Sequence, residues 1–403
     1  MKLWTAQSVS LLGSCVSGFA VPSLAVTVLG ATANQMALMS IVGALAFPLL
    51  GMVAATLVER WPKHIVMVSM DLGRMGAIGA IPALGILHRL DMTAVIVISC
   101  VLAVMGVFHD IAYQSHLPAV VPNDRIGEGN TKLELSNTAS QSIGPALGGL
   151  LMHLVSAPLA MLVDAVSYLV SAISLGTIDR SKVQPVQRPE RMPFFEELRQ
   201  GLRFIVDTPR LGRIALCTAT MNFGSAISGV VSLIFLYRVL HLQPLTVGLL
   251  FALSNLGVVG ALYSIKFSER FGLLSTLSGA VLLNALGRLL LPAAALFFPL
   301  GCALVSLMLT SLAGPIYNVA QISYRQRVTP LSIQARMHAA MRTLNSATAP
   351  LGAMAGGILA ETVGVQHALI FAAFVTALAA LWFLPIAQRE IPALSPEREA
   401  VAA

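Results

Sequence analysis

Residues 55–74 read ATLVERWPKHIVMVSMDLGR, a short charged turn between two long apolar runs, with Asp71 and Arg74 placed inside the second run. Counted from Ile65 at 1.5 Å of helical rise per residue, these unlike charges lie about 9 and about 14 Å along an apolar helix. Ionic groups at such depth are tolerated only where they face each other or a polar interior. The stretch predicts a membrane-embedded chain with a wet or charge-paired interior, and movement of a solute across a bilayer as its class of function.

Of 403 residues, 56% are hydrophobic and 11% charged, whereas a soluble domain carries about 25% charged residues. Twelve apolar runs reach the length of about 20 residues that spans a bilayer. The first starts almost at Met1 and lacks a small-residue cleavage site followed by a soluble domain, so it reads as a span and not a signal peptide. Cys15, Cys100, Cys217 and Cys302 sit far apart inside apolar runs, the pattern of packing residues and not of a disulfide framework or zinc site. The net charge of +7 could suggest nucleic acid, but its distribution argues against that. Only Arg89 and Arg238 fall in alternate loops of one parity and only Arg74 and Arg288 within spans, leaving 21 of 25 Lys and Arg in the tails and loops of the other parity. That asymmetry puts both termini in the cytoplasm, at a cell membrane. The expected partners are the lipid bilayer and a small molecule, not nucleic acid, and the expected unit is a monomer.

The first span, about Leu3 to Leu29, carries Ser10, Ser14 and Ser17, which either bond their own backbone or line a cavity. The second ends at the turn Glu59-Arg60-Trp61-Pro62-Lys63-His64, where Pro62 stops the helix. Asp71 and Arg74, three residues apart, share one face and either neutralise each other or join Asp110 of the fourth span and Arg60 in a larger network. The fifth span presents Glu134, Asn137 and Gln141 on one face, expected to look into a central cavity. Asp164 lies about 10 Å into the sixth span, with Tyr168 one turn further. A buried carboxyl there can carry a proton at physiological pH, so Asp164 and Glu134 are the proton-coupling candidates; bonding to hydroxyls or capping a helix is the structural alternative for Asp164.

Composition divides the chain into a first half of six spans (1–178), a linker (179–209), a second half of six spans (210–388) and a polar tail (389–403). Within the linker, Phe194, Leu198, Leu202 and Ile205 form one apolar face, which predicts a cytoplasmic helix lying on the membrane surface. The halves repeat: Asn137 and Asn345, Pro122 and Pro330, Gly148-Gly149 and Gly356-Gly357 are each 208 residues apart, and Glu59-Arg60 and Glu269-Arg270 are 210 apart. A parallel repeat of six spans places a substrate site between the halves near the midplane. Buried polar candidates of the second half are Asn222, Asn255, Asn284, Arg288 and Asn345. Arg288 shares a helix face with Asn284, where it snorkels, pairs structurally or attracts an anionic group of the substrate.

The turn after the second span resembles the loop signature of the major facilitator superfamily, Gly-x-Leu-Ala-Asp-Arg-x-Gly-Arg-Arg, through Leu57, Glu59, Arg60 and Lys63, with Ala55 and Pro62 in place of its glycines. The resemblance implies an all-α integral membrane fold of 12 transmembrane helices in two six-helix bundles. It also implies a gate network of Glu59, Arg60, Lys63, Asp71, Arg74 and Asp110 that latches the cytoplasmic side, its acidic residue facing the N-terminus of the eleventh span. FHDIAYQSHLPAVVP (residues 108–122), NTASQSIGPALGGLL (137–151) and LVDAVSYLVSAISL (162–175) are similar to the branch holding macrolide efflux proteins and the enterobactin exporter. In that resemblance Gly144, Pro145, Gly148 and Gly149 match the antiporter motif of drug exporters, read as a helix-flexing motif or as tight packing alone. Ser14, Asn137, Gln141 and Tyr168, read from the residues themselves, join the second-half residues as cavity candidates. The family's arginine of the fourth span is absent, so coupling through it is unsupported.

The implied activity is efflux of an amphipathic drug, antibiotic or siderophore-like molecule by alternating access, with no cofactor and the proton gradient as energy source. Import or facilitated passage of a polar metabolite on the same fold is the alternative, and it calls for a denser polar lining than these residues provide. An enzyme is not supported: the sequence shows no metal-ligand cluster, nucleophile constellation or phosphate-binding glycine loop.

Overall fold

A computed structural model describes residues 2–120, 126–177 and 194–383, and all regular structure among them is helical. The first half contains α1 (Lys2–Thr27), α2 (Ala33–Arg60), α3 (Lys63–Ile86), α4 (Met92–Val120), α5 (Ile126–Leu154) and α6, split into Ala157–Ala160 and Leu162–Gly176. A shorter helix, α7 (Phe194–Asp207), precedes the second half. There α8 (Pro209–Ile234) runs on through a π turn (Phe235–Val239), and α9 has two α segments (Pro244–Ser254 and Gly260–Phe271) around a 3₁₀ stretch (Asn255–Val259). The remaining helices are α10 (Leu273–Ala293), α11 (Pro299–Val328), α12 (Leu331–Thr362) and α13 (Val365–Leu378, ending in a 3₁₀ turn, Ala379–Phe383). The tail 389–403, the first part of the linker and Pro122 lie outside the described residues.

Local chemistry sets the ends. Thr32 and Gln35 form a capping box at the start of α2, with Gln35 N donating to Thr32 Oγ1 (3.3 Å) and Thr32 N to Gln35 Oε1 (2.9 Å). Pro209, Pro244 and Pro299 open α8, α9 and α11, where a missing N–H costs nothing. Gly272 reverses the chain between α9 and α10 at φ +81°, a conformation that side chains disfavour.

Ten of these helices are long and apolar enough to cross a membrane. α5 and α12, with 29 and 32 residues, have the length without the same hydrophobicity. Their positions explain why. α5 packs lengthwise on α1 and α9, and α12 on α8 and α2, so both stand between the halves and show less surface to lipid.

The helix ends define two faces. The linker face carries the α2–α3 turn and α7; the far face carries the α1–α2 and α8–α9 turns. Near the far face a single apolar core crosses both halves, joining Leu24, Met36 and Ile81 to Ile234, Phe235, Val247 and Ala360. Toward the linker face the cores are separate. Ala6, Val58, Val66 and Met67 pack within the first half, while Cys217, Leu277, Tyr317 and Phe383 pack within the second. The halves are therefore closed on each other at the far face and parted at the linker face.

Helix α7 corrects an expectation. Its apolar side meets protein instead of the membrane surface: Ile205, Leu198 and Leu202 pack on Ala215 of α8 and Met337, Ala340 and Met341 of α12. Burying the Ile205 side chain, 3% exposed, contributes about 1.5–3 kcal/mol outside the bilayer. Gln200 Oε1 accepts from Arg336 Nη1 at 2.6 Å, and Gly201 lies against the Arg336 backbone, where a Cβ would stand 2.3 Å from its carbonyl oxygen. α7 is thus a strap across the linker-face end of the second half.

Candidate functional site

Two polar regions of different character lie inside the molecule. The first is a sealed charge cluster among α1, α3, α4 and α6. Asp71 is fully buried; its Oδ1 accepts from Arg74 Nη2 at 2.5 Å and its Oδ2 from Ser171 Oγ at 2.6 Å. His109 of α4 brings Nε2 to 3.5 Å from the same Oδ1 and stacks on Tyr113. The Arg74 guanidinium lies 4.6 Å from the centroid of the Tyr168 ring, whose hydroxyl bonds Ser14 of α1 at 3.0 Å. One face of α3 therefore holds a carboxylate and a guanidinium with hydrogen-bond, ionic and π partners from two neighbouring helices, α4 and α6, which α1 joins through the Ser14–Tyr168 bond.

Asp164 lies at the α1–α6 contact, 1% exposed, with Ser167 Oγ donating to its carbonyl (2.8 Å) and to Oδ1 (3.1 Å). Gly13 of α1 makes this approach possible, since a Cβ there would stand 2.0 Å from Ser167 Oγ. Hydroxyl bonding, the structural alternative for Asp164, is what the geometry shows, and it leaves the carboxyl buried beside Tyr168.

The expected gate of six residues divides. Asp71 and Arg74 are together, while Lys63 folds back on the end of α2, its Nζ donating to the carbonyls of Val58 (2.6 Å) and Glu59 (2.9 Å). Glu59 and Arg60 are exposed at the linker face. Asp110 is a correction: its side chain is 61% exposed, outside the buried cluster, and its ion-pair contact among the described residues is with His109 Nδ1, at 3.7 Å. The inward-facing member of α4 is His109, one position earlier. Glu134 is exposed on α5, and Gln141 Nε2 donates to Asn137 Oδ1 at 3.1 Å; none of the three lines the open space of the second half, which this face was expected to share.

The second region is open. A cavity of about 390 Å³ is walled by α8, α9, α10 and α11, and Asn222, Asn255, Asn284 and Arg288 all line it. A wider space of about 860 Å³ continues toward α12, sharing Asn222, Ser225 and Asn318 with the first and adding Asn345, Arg325 and Arg342. All five candidates of the second half thus line one continuous space. Arg288 is held in place: Nε donates to Asn284 Oδ1 (2.8 Å) and Nη2 to Ser225 Oγ (2.6 Å), while Asn284 Nδ2 donates to the Thr310 carbonyl (3.3 Å). Asn255 begins the 3₁₀ stretch of α9 and reaches across to the first half, its Nδ2 donating to the Gln141 carbonyl at 2.7 Å. A 3₁₀ interruption within a span, beside a cavity, is a site where the helix can change pitch.

The glycine motif is a contact surface on both sides of a continuous α5. Gly144 and Gly148 meet α1 at Cys15, Val16 and Phe19, and Gly149 meets α9, where a Cβ would stand 2.5 Å from the Pro244 carbonyl. Gly248 of α9 returns the contact against the Pro145 carbonyl at 2.3 Å. In the second half Gly352 and Gly356 meet α8, and Gly357 meets α2. Small residues let backbones approach where lipid offers no hydrophobic drive for association.

Three further ties close the far face between the halves. Tyr237 donates to Ser23 Oγ (2.8 Å), Arg238 Nη2 to the Ala31 carbonyl (2.7 Å), and Asn34 donates through both its backbone N and Nδ2 to the Glu361 carboxylate at the end of α12.

Comparison with known proteins agrees with this architecture. Multidrug efflux pump Tap of Mycolicibacterium fortuitum is 25% identical over 351 residues, covering 83% of each chain. Macrolide efflux protein A of Streptococcus pyogenes is 19% identical over 371 residues, covering 91% of this chain and 90% of that protein. Among solved structures, a bacterial homologue of the iron transporter ferroportin in its inward-facing state superposes with a TM-score of 0.76 at 16% identity, over 96% of this chain and 98% of that one. The transmembrane secretion effector description matches residues 1–400. Built from apolar helices around an internal cavity closed at one face, the chain is a multi-pass membrane transporter of the major facilitator type and belongs to the transmembrane secretion effector family.

Proposed function

We propose that this chain exports amphipathic small molecules from the cytoplasm by alternating access, as a monomer in the cytoplasmic membrane, using the proton gradient. The observation that carries the reading is the one-sided closure: a core shared between halves at the far face, separate cores at the linker face, and a polar space reached between them. The linker face, where the basic loops concentrate, is the cytoplasmic one. Efflux as the direction is supported by the drug and macrolide pumps among its relatives.

In this reading the sealed cluster of the first half carries the ionic coupling and the open cavity of the second half receives cargo. Asp164 is the proton carrier, because it is buried, its carboxyl accepts from the Ser167 hydroxyl with no ion-pair partner among the described residues, and it is close to the Arg74–Tyr168 contact. Expression in an efflux-deficient host should raise the inhibitory concentration of amphipathic antibiotics, and a protonophore should remove the protection. An unchanged panel would overturn export. In reconstituted vesicles, Asp164→Asn should uncouple transport from an imposed pH gradient; a wild-type response would make Asp164 purely structural.

A further inference from the structure

We propose that the cavity of the second half is an anion-binding site, and that the preferred cargo is an amphipathic molecule carrying a carboxylate or phosphate head. The inference deepens the export reading and rests on it for the word cargo. Its ground is the sign of the cavity wall. Arg288, Arg325 and Arg342 all line the continuous space, His338 joins them, and no Asp or Glu stands among its lining residues.

None of the three guanidinium groups has a carboxylate within ion-pair distance among the described residues. Arg288 is oriented entirely by neutral partners, Asn284 and Ser225, and its Nη1 makes no hydrogen bond. Arg325 is 6% exposed and its Nε is buried without a partner. Arg342 lies over the Phe47 ring of the first half at 4.5 Å, so the two halves meet at a cation. For Arg325, the buried one of the three, an uncompensated charge is costly, and an oxyanion entering from the mouth would offset that cost; Arg288 is half-buried and Arg342 exposed. The first half shows that this fold can neutralise a buried arginine internally, as it does with Asp71 and Arg74. Its second half leaves the cations exposed to the cavity.

Placement gives a path. Arg325 and Arg342 stand in the wide part toward the linker face; Arg288 stands deeper, and its Nη2 donates to Ser225, a residue that both spaces share. An anionic head can pass from the first cations to the second while its apolar body lies along Met221, Phe251 and Leu307. A planar guanidinium with a free edge suits two oxygens of a carboxylate or phosphate.

The test is equilibrium binding to the purified full chain in nanodiscs of zwitterionic lipid. Probes are 4-octylbenzoate, its uncharged amide and 4-octylbenzylammonium, with lysophosphatidate and monoacylglycerol as a lipid pair. Each acid should bind about tenfold or more tighter than its uncharged partner, the ratio expected for one hydrogen bond to a charged group. The ammonium probe should bind weakest, and Arg288→Gln should lower the acid-to-neutral ratio toward one while Arg288→Lys keeps part of it. Should Arg288→Gln fail to fold, Arg325→Gln carries the same test. Response of the benzoate arm assigns the head to a free organic acid, and response of the lysophosphatidate arm alone assigns it to a lipid. Equal binding of acids and neutrals, preference for the ammonium probe, or a ratio that neither Gln variant moves would overturn the proposal. Because binding needs neither direction nor energy, acids that bind without any export would sink the export reading alone. Drugs exported by a protein that binds no acid would sink this one alone.

Discussion

The third span of each half handles its polar residues in opposite ways. α3 sets Asp71 against Arg74 and seals the pair with Ser171, His109 and Tyr168. At positions 210 residues later α10 has Val281 and Asn284, and it carries a guanidinium, Arg288, where α3 has the fully buried Ile78. The first spans diverge in the same sense at 208 residues: Ser14 closes on the Tyr168 hydroxyl, whereas Asn222 faces the cavity. In the sixth spans, Asp164 and Tyr168 are replaced by Ala372 and Thr376. Two copies of one helical plan have thus been tuned apart, one to hold charge closed and the other to leave it open to a ligand.

The hardest blow to that contrast is Asp71→Asn. It leaves Arg74 buried without its carboxylate, and breaking such a pair costs about 3–5 kcal/mol. Export should be lost and the melting temperature in detergent should fall, with the double variant Asp71→Asn/Arg74→Gln recovering much of the stability. A single variant that melts like the parent would mean that the pair is not sealed.

Gly149→Val probes the symmetric contacts that join the halves. A side chain there meets the Pro244 carbonyl, and overpacking of this kind costs about 1–3 kcal/mol. The far face should open more often, seen as faster labelling of a cysteine placed at Ser23 of the variant. Unchanged labelling would show that the far-face closure does not depend on this approach of α5 and α9.

Asn284→Asp makes the second half imitate the first. The new carboxylate would meet Arg288 Nε where Asn284 Oδ1 now lies, at 2.8 Å. Stability should change little, and the preference for acids should fall by about tenfold, which is about 1.4 kcal/mol. Retained preference would place anion recognition on Arg325 and Arg342 instead.

Asp110→Asn should be the mildest. An exposed side chain outside such networks contributes within about 0.5 kcal/mol, and export should persist. Abolished export with normal stability would restore Asp110 to the gate.

Much of this plan was legible in residues 55–74 and in the 208-residue repeat, because bilayer thickness fixes span length and a duplicated bundle repeats its prolines and glycines. The moderate hydrophobicity of α5 and α12 departs from the twelve apolar runs expected, and packing supplies its reason: both stand between the halves. Other features were hidden by the limits of a one-dimensional pattern. His109 and Asp110 are adjacent, about 100° apart around a helix, so sequence favours the acid by charge and only the position of α3 reveals that the histidine points inward. Arg325 and Arg342 read as ordinary positive-inside residues, since topology alone accounts for basic groups near cytoplasmic helix ends. The apolar face of α7 fits a lipid surface as well as a protein groove, and only the arrangement of α8 and α12 decides between them.

The apolar core joining the halves lies on one side only, and that makes the two strokes of the cycle unequal. Opening outward must unzip packed side chains, the Tyr237 and Arg238 hydrogen bonds and the Asn34–Glu361 tie together. Opening inward disturbs no comparable shared layer. In the export reading proposed above, with the linker face toward the cytoplasm, outward opening is therefore the step on which a driving force has its greatest leverage.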